Sequence, residues 1–541
     1  MGTRIRMTGL LLFAATAPAL GVERNAREVG ERLDAAVAAA IGGQGLAPAV
    51  DDATFLRRVW LDLAGRVPPA LTARDFLEDR DPQKRVKMVD RLLDSDDFAG
   101  HWADVLAGWV LAERPIKRDG YDGRVLRAYL KDGLRRGTPY GKLVRDLLTG
   151  AGASDSSGPT NFLLRYDADP ARLAGAVGKS FLGVTIQCAQ CHDHPFTAWK
   201  QDDFWGLAAA FARLRKLEAS GDDDLKAVLE ARRGELTRPA PQDDKADVDK
   251  DKDAPEGDEG EPKRPTVAPR LPGGKAVPPD DRRQALADWV VARDNPYFAR
   301  NLVNLLWREL FGHGLVPNLD PRDAKAETSP VLDLLAQDAS ATGHDLKALL
   351  RVVVLSRSYA QGSAAHVKPA WARPAPRPLS VDQLFASVAQ ATGYDGPSPE
   401  PPEGEDAPEE EGGEPDASRC PDPKDAEKTA PAADESEEEG SDRPVEMLGD
   451  RALTLQRALV MANGEFVHEA CRFGSGVAFA TSGRADDASR LDWAFLATLS
   501  RRPTQAERAA LRPLLETRDR KGGFEDVFWV LLNSAEFQTN H

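Results

Sequence analysis

The chain has 541 residues, of which 41% are apolar, and a formal net charge of −16. This length exceeds the size at which one hydrophobic core keeps growing, so two or more domains are expected. Residues 401–440 hold 16 acidic and 3 basic side chains and residues 241–260 hold 9 and 3, which leaves the remainder near neutral at about +3. A near-neutral remainder argues against a nucleic-acid surface.

The first 21 residues have the pattern of a secretory signal peptide. Arg4 and Arg6 precede a short apolar run at 7–13, and Ala17 and Ala19 fit an A-x-A cleavage site. The run is too short to span a bilayer, and no later stretch approaches the roughly 20 apolar residues of a membrane helix. We therefore predict a signal peptide at 1–21 and an exported mature chain without an integral membrane segment. The alternative is an N-terminal helix of the mature fold.

The rest of the chain predicts a mainly α protein, because Leu, Ala and Arg recur at helical spacing and almost no stretch alternates apolar and polar residues. Asp51 or Asp52 can cap a first helix that ends at Gly65. Asp81 is the expected N-cap of a second helix, with Pro82 at its first position. The apolar stripe of the first helix consists of Phe55, Leu56, Val59, Trp60 and Leu63.

Two acidic tracts divide the chain. Residues 237–278 and about 395–445 are rich in Pro, Asp, Glu and Lys and have almost no large apolar side chains, so they cannot offset the entropy of ordering. We predict an N-terminal helical domain at 22–236, a disordered acidic linker at 237–278 and a C-terminal helical domain at 279–541. The tract at about 395–445 is then a disordered insert. Specific acidic binding tails are the alternative for both tracts.

The C-terminal region repeats the helical signals. Asn295 can cap a helix that starts at Pro296 and ends at Gly312, and another helix is expected from Asp345. Residues 504–507 have capping-box spacing, with Thr first and Glu three positions later. The chain then ends in an apolar helical segment.

The motif with the clearest chemistry is CAQCHDH at 188–194. A CxxCH spacing is typical of c-type haem attachment. Cys188 and Cys191 would form thioethers to the haem, and His192 would be the proximal iron ligand. On an α-helix Cys188 and His192 would share one face, with Cys191 on the same side.

Two alternatives compete with haem. Cys188, Cys191 and His194 could form a zinc clip together with His192, although zinc fingers separate their ligand pairs by about a dozen residues. A Cys188–Cys191 disulfide is the other alternative, but the βαβ pattern that surrounds a thioredoxin-like site is not evident. The sequence leaves haem c, zinc and a disulfide open at this point.

Electron-transfer haems usually have a second axial Met or His ligand. The candidates for this position are His101, His313, Met461 and His468. Five aromatic side chains near the motif could line a haem pocket or form part of an ordinary core: Phe196, Trp199, Phe204, Trp205 and Phe211. No G-x-S-x-G, Walker or G-x-G-x-x-G motif occurs, and HEACR at 468–472 lacks the second His of H-E-x-x-H. No reaction is therefore assigned.

Several segments of the chain form a recognisable set: FLRRVWLDLAGRVPP, FLGVTIQCAQCHDHPFTAWKQDDFWGLAAAF, ARDNPYFARNLVNLLWRELFGHGLVPN and FWVLLNSAEFQTNH. Together they resemble the secreted planctomycete cytochrome-like proteins, which join two domains of unassigned function. The resemblance implies an exported protein, a haem-type CxxCH at Cys188, Cys191 and His192, and no established reaction. This chain has His313 where the family typically has a basic residue, and near Ser329 it lacks the His of the usual PSHPELL.

These observations predict an exported c-type haem protein that transfers electrons in the periplasm or at the cell surface, with an unassigned redox partner. The alternative is a non-redox secreted scaffold or binding protein in which CxxCHxH is a structural zinc or disulfide site. That alternative implies a surface polymer or a secreted protein as the partner.

Overall fold

A computed structural model of the chain is mainly helical, as the sequence predicts. It describes residues 17–42, 45–111, 121–219, 222–237, 266–278, 280–323, 326–363, 368–395, 461–462, 464–473, 486–517 and 519–541. Most of the predicted leader and acidic tracts, and Cys420, lie outside the described residues. The predicted signal peptide and insert, and the linker between residues 238 and 265, therefore stay predictions.

The first half of the chain contributes ten α-helices in the described residues. These are α1 (Ala17–Ala40), α2 (Asp52–Ala64), α3 (Ala70–Glu78), α4 (Lys84–Leu93), α5 (Asp96–Leu111), α6 (Gly123–Arg135), α7 (Tyr140–Thr149), α8 (Gly158–Arg165), α9 (Pro170–Ala176) and α10 (Gln201–Ala208).

Local capping explains where these helices begin and end. Asp51 caps α2 by accepting from the Thr54 amide at 2.8 Å, and Gly65 ends the helix in the left-handed region at φ 71°. Both predictions for α2 are confirmed. The predicted N-cap of the next helix is wrong: α4 begins at Lys84, because Asp81 closes a turn by accepting from the Gln83 amide at 2.8 Å.

Sequence patterning missed a small antiparallel sheet in the first half. Its strands are β1 (Gly152–Ala153), β2 (Leu214–Ala219) and β3 (Asp222–Glu230), in the order β1-β3-β2. Leu214 pairs with Glu230 and Leu217 with Ala227. Among the β3 side chains that the structure describes, Lys226 and Val228 are buried, whereas Leu229 and Glu230 are exposed. The sequence of β3, DDDLKAVLE, does not alternate apolar and polar residues, so its pattern did not predict a strand.

Residues 266–278 are ordered, although the sequence placed them in the linker. They begin with β5 (Thr266–Val267), which pairs with β4 (Leu236–Thr237). The Arg270 amide donates to the Gly206 carbonyl of α10 at 3.1 Å, and the Leu271 and Val277 side chains are buried. This segment therefore packs against the first half.

The second half contributes ten further α-helices in the described residues. These are α11 (Arg282–Val290), α12 (Phe298–Phe311), α13 (Pro330–Ala341), α14 (Leu346–Val354), α15 (Val381–Thr392), α16 (Glu465–Phe473), α17 (Asp487–Thr498), α18 (Gln505–Thr517), α19 (Arg520–Leu532) and α20 (Ala535–Gln538).

Capping in the second half follows the sequence closely. Helix α12 starts two residues later than predicted, yet Asn295 still accepts from the Phe298 amide at 3.1 Å, and Gly312 ends the helix in the left-handed region. Asp345 caps α14 as predicted. The capping box at 504–507 is present, since each residue's side chain accepts the other's amide. The chain ends in a short strand, β7 (Thr539–Asn540), which pairs with β6 (Arg377–Pro378).

One hydrophobic core runs through both halves. Buried side chains from α2 and α5 form a continuous cluster with those from α12, α14 and α19. Such a shared core holds the two halves together as one packed unit. In the part of the chain that the structure describes, no helix combines the length and the apolar character needed to cross a membrane.

A buried polar network reinforces this core. Asp62 of α2, whose side chain is 3% exposed, accepts from Arg377 Nη2 at 2.5 Å, the Tyr359 hydroxyl at 2.6 Å and Asn540 Nδ2 at 2.7 Å. Burial raises the pKa of Asp62, and the Arg377 guanidinium acts in the opposite direction. One carboxylate therefore joins α2 to three distant segments, including the last strand.

A second contact between the halves centres on a buried histidine. The His344 carbonyl accepts from the Tyr140 amide at 3.0 Å, and the His344 ring lies 4.8 Å from that of Phe298. Phe298 in turn stacks on Tyr140 with ring centroids 5.6 Å apart. Burial lowers the pKa of His344 to about 4, so the ring is neutral in the folded protein at pH 7.

We expect Arg377→Met to lower the free energy of unfolding by about 3 kcal/mol or more, because it leaves the Asp62 carboxylate buried without its cation. Urea denaturation measures this change. Arg74→Met is the matched control, since Arg74 pairs with Asp75 in an exposed ion pair, and it should leave the urea midpoint unchanged. Equal midpoints for the two variants would contradict the stabilising role of the network.

We expect stability to fall as the pH falls from 6.5 toward 4, because in this window the unfolded chain protonates His344 and the folded chain does not. His344→Asn removes the imidazole that takes up this proton, and asparagine tolerates the backbone φ of 65° at this position. Between pH 7 and pH 5 the wild type should lose about 2 kcal/mol more than the variant. Urea denaturation at both pH values tests this, and equal acid losses would refute it.

Candidate functional site

The Cys188–His194 segment lies on a tight turn between two helices of the first half. After α9 the chain forms a π-helix at Val177–Leu182 and leaves it through Gly183 at φ 70°. A Cβ at Gly183 would lie 2.7 Å from Asn301 Oδ1, so glycine is required both for the backbone conformation and for the close approach of α12.

The motif does not form an α-helix. Cys188 lies on a 3₁₀ helix at Gln187–Gln190, and Cys191 follows at its end. The two cysteines still share one side of the turn, because residues three apart eclipse each other in a 3₁₀ helix. Both are exposed thiols, and His192 is exposed beside them. The structure thus brings the three predicted haem-attachment residues to the surface on one turn.

The hydrogen bond of His192 determines which ring nitrogen is available. Its Nδ1 lies 2.7 Å from the Asp193 carbonyl oxygen. A carbonyl can only accept, so in the neutral ring Nδ1 carries the proton and Nε2 keeps its lone pair. This tautomer suits a metal-ligating histidine, in which a backbone carbonyl holds one nitrogen while the other binds the metal.

His194 has the opposite arrangement. Its Nδ1 accepts from the Phe196 and Thr197 amides, each at 3.2 Å. In the neutral ring Nε2 then carries the proton, so neither nitrogen presents a lone pair to a metal. This geometry does not suit the predicted zinc clip of Cys188, Cys191 and His194. Among the described residues no group of three or more His, Cys, Asp or Glu side chains could hold a metal ion.

Two side chains of helix α10 hold the turn by donating hydrogen bonds to carbonyl groups of the turn. Gln201 Nε2 donates to the Cys191 carbonyl at 2.8 Å, and Trp205 Nε1 donates to the Gln190 carbonyl at 2.8 Å. Asp193 accepts from the Gln201 amide at 2.9 Å and pairs with Lys200 at 3.0 Å. The hydrogen bond from the Gln201 amide has the larger effect, and together with the contact to Lys200 it lowers the pKa of Asp193.

The aromatic group near the motif is mostly core. Trp199, Phe204, Trp205 and Phe211 are buried, whereas the Phe196 side chain is 70% exposed. The first four therefore support the turn from below, as ordinary core side chains do. Phe196 is the exposed member of this group, and its ring centroid lies 6.3 Å from that of His194.

The predicted second axial ligands lie on separate elements. His101 lies on α5, His313 follows α12 and is exposed, Met461 is buried, and His468 is exposed on α16. His468 lines a cavity of about 450 Å³ between α16 and α19, together with Cys471 and Trp529. Burial raises the pKa of the Cys471 thiol to about 12.

Sequence reasoning missed the residues that reach the turn from the second half. Asp320 and Arg322 lie in the loop after α12 and contact Trp199, Ala198 and Asp203. The only signal for them was the turn-forming run PNLDPRD at 317–323. Nothing in that run indicates which distant helix it contacts.

Two family models match consecutive parts of the chain. Residues 32–216 match the model described as PSCyt2, a protein of unknown function (DUF1549). Residues 282–515 match the model described as PSD1, a protein of unknown function (DUF1553). No curated protein and no solved structure matches the chain. The CxxCH turn lies inside the first matched region, and the loop that contacts it lies inside the second.

We expect iodoacetamide at pH 8 to alkylate Cys188 at least about a hundredfold faster than Cys471 in the haem-free native chain. Attack requires a thiolate, and a thiol of pKa about 12 is deprotonated to only ~10⁻⁴ at that pH. Peptide mass spectrometry measures both rates. In urea the difference should disappear, and equal native rates would contradict the burial of Cys471.

Proposed function

We propose that this chain, which joins the two domains of unknown function, is an exported protein that binds c-type haem and transfers electrons in the periplasm or at the cell surface. Cys188 and Cys191 would carry the thioether bonds, and His192 would be the proximal ligand. The observation that carries the proposal is the 2.7 Å contact between His192 Nδ1 and the Asp193 carbonyl, because it leaves Nε2 available for iron.

The exposure of the three residues supports the proposal. Cys188 and Cys191 face solvent as thiols, so the machinery that forms thioether bonds could reach both of them. Haem bound there would supply a one-electron iron couple. The Asp193 carbonyl would act on this site by fixing the His192 ring and raising its basicity, as outer partners of metal-ligating histidines do.

The sequence supports export as the setting. The Arg4–Ala19 segment has the order of a signal peptide, and the exported compartments are those in which c-type haem is attached. An attachment point at the surface suits exchange of electrons with a partner protein that docks nearby. The charged residues next to the turn, Asp193 and Lys200, neutralise each other, which favours no strongly charged partner.

The alternative of a non-redox scaffold depends on the same residues. In that case Cys188 and Cys191 would hold zinc or form a disulfide, and a surface polymer or secreted protein would be the partner. The hydrogen bonds of His194 argue against zinc. Because Cys188 and Cys191 share one side of the 3₁₀ turn, the two thiols could approach each other. A disulfide is therefore a stronger alternative to haem than zinc is.

We expect the full chain, produced with its leader in a bacterium that matures c-type cytochromes, to gain the mass of one haem and to show c-type absorbance bands when reduced. Cys188→Ser and Cys191→Ser should each remove one covalent attachment, and His192→Ala should abolish the native spectrum. Intact-mass and visible spectra measure these outcomes.

His194→Ala is the matched control, because it removes a neighbouring imidazole that presents no lone pair, and it should keep the haem and its spectrum. A mature wild-type chain without haem, carrying instead one zinc ion or a Cys188–Cys191 disulfide, would overturn the proposal in favour of the scaffold.

A further inference from the structure

The second half of the chain contacts the CxxCH turn on both sides. Before the turn, Asn301 Nδ2 of α12 donates to the Ser180 carbonyl at 2.9 Å. After it, the Ala198 amide donates to the Arg322 carbonyl at 3.0 Å, and Thr197 forms a β-bridge with Asp323. The turn is therefore held between a side-chain contact from Asn301 and backbone contacts from Arg322 and Asp323.

Asp320 is the centre of the second contact. Its Oδ2 accepts from Trp199 Nε1 at 2.9 Å, and its Oδ1 accepts from the Arg322 amide at 2.9 Å. The Asp320 residue is 6% exposed and Trp199 is fully buried. Each carboxylate oxygen of Asp320 thus accepts a hydrogen bond from an N–H group at a site closed to water. Loss of either bond would leave a buried polar group without a partner, which destabilises the folded protein.

Arg322 adds a second link. Its guanidinium lies 4.2 Å from the centre of the Trp199 ring, and its Nη1 lies 2.7 Å from Asp203 Oδ2 on α10. Both charged side chains are largely buried, with exposed fractions of 21% and 15%. A planar cation stacked on an indole and paired with a shielded carboxylate fixes both partners in place.

Asp320 and Arg322 contact Trp199 and the α10 residue Asp203, and Trp199 and α10 also hold the CxxCH turn. The Trp199 carbonyl accepts from the His194 amide at 2.9 Å, and α10 carries Gln201, which donates to the Cys191 carbonyl at 2.8 Å. A shift of Trp199 or of α10 would therefore move the backbone on either side of His192.

We infer that Asp320 and Arg322 are positioning residues of the CxxCH site, so that the second matched domain forms part of the binding site carried by the first. They act through Trp199 and Asp203 and do not touch the attached group. The positioning of the turn rests on contacts within the chain alone, while its effect on haem rests on the proposed function.

Asp320→Asn is the sharpest test. Both oxygens of Asp320 accept from N–H groups, so the amide replaces one acceptor with a donor, and one of the two bonds must be lost. In the haem-free full chain we expect amide hydrogen exchange across residues 187–203 to rise at least about tenfold. Exchange in α2 and α5 should stay unchanged.

Asp333→Asn is the matched control, since Asp333 pairs with Arg300 on α12 in a more exposed ion pair. It should leave exchange across 187–203 unchanged. Arg322→Lys is the second variant: it keeps a cation for Asp203 but loses the planar stacking on Trp199, so it should raise exchange by less than Asp320→Asn does. If Asp320→Asn does not fold, Arg322→Lys decides the question.

Unchanged exchange across 187–203 in both variants, or a rise that is equal in every helix, would overturn the positioning role. In the haem-loaded chain the same variants should shift the reduction potential, whereas Asp333→Asn should not. If the wild type carries no haem while the exchange result holds, the proposed function fails and the positioning role stands. If haem is bound but exchange and potential stay unchanged, the positioning role fails alone.

Discussion

The carboxylate of Asp62 is the interaction on which the arrangement of the chain depends. It is buried on α2 and receives hydrogen bonds from Arg377, Tyr359 and Asn540, which lie hundreds of residues away. A buried carboxylate without partners costs several kcal/mol. The segments that satisfy it must therefore all be in place together. Apolar packing alone would tolerate small shifts between the halves, whereas this charge selects one alignment.

That alignment makes the candidate site a product of both matched domains. The motif that could carry a cofactor lies in the first domain, but its supporting Trp199 is satisfied by Asp320 of the second. The shared hydrophobic core explains how this contact is maintained. Two regions that match separate family models thus act as one packed unit around the turn, and a polar contact between them is protected from water.

The local parts of the structure were the predictable ones. The caps at Asp51, Gly65, Asp345 and residues 504–507 follow from backbone amides and side-chain oxygens a few residues apart. The start of α4 was missed because Asp81 can satisfy a turn as well as a helix. The 3₁₀ form of the CxxCH turn was missed for a related reason: α10 and the second half hold its carbonyls, and neither is visible in the motif itself.

The sequence by itself determined the helical composition, the positions of many helix ends and the presence of two thiols and two imidazoles within seven residues, because these depend on residue type and on neighbours along the chain. Only the tertiary structure decided that Cys471 is buried while Cys188 is exposed, and that Asp320 and Arg322 contact Trp199 and Asp203 beside the turn. Those properties depend on which carbonyls, rings and charges meet across distant segments, and spacing along one chain does not encode them locally.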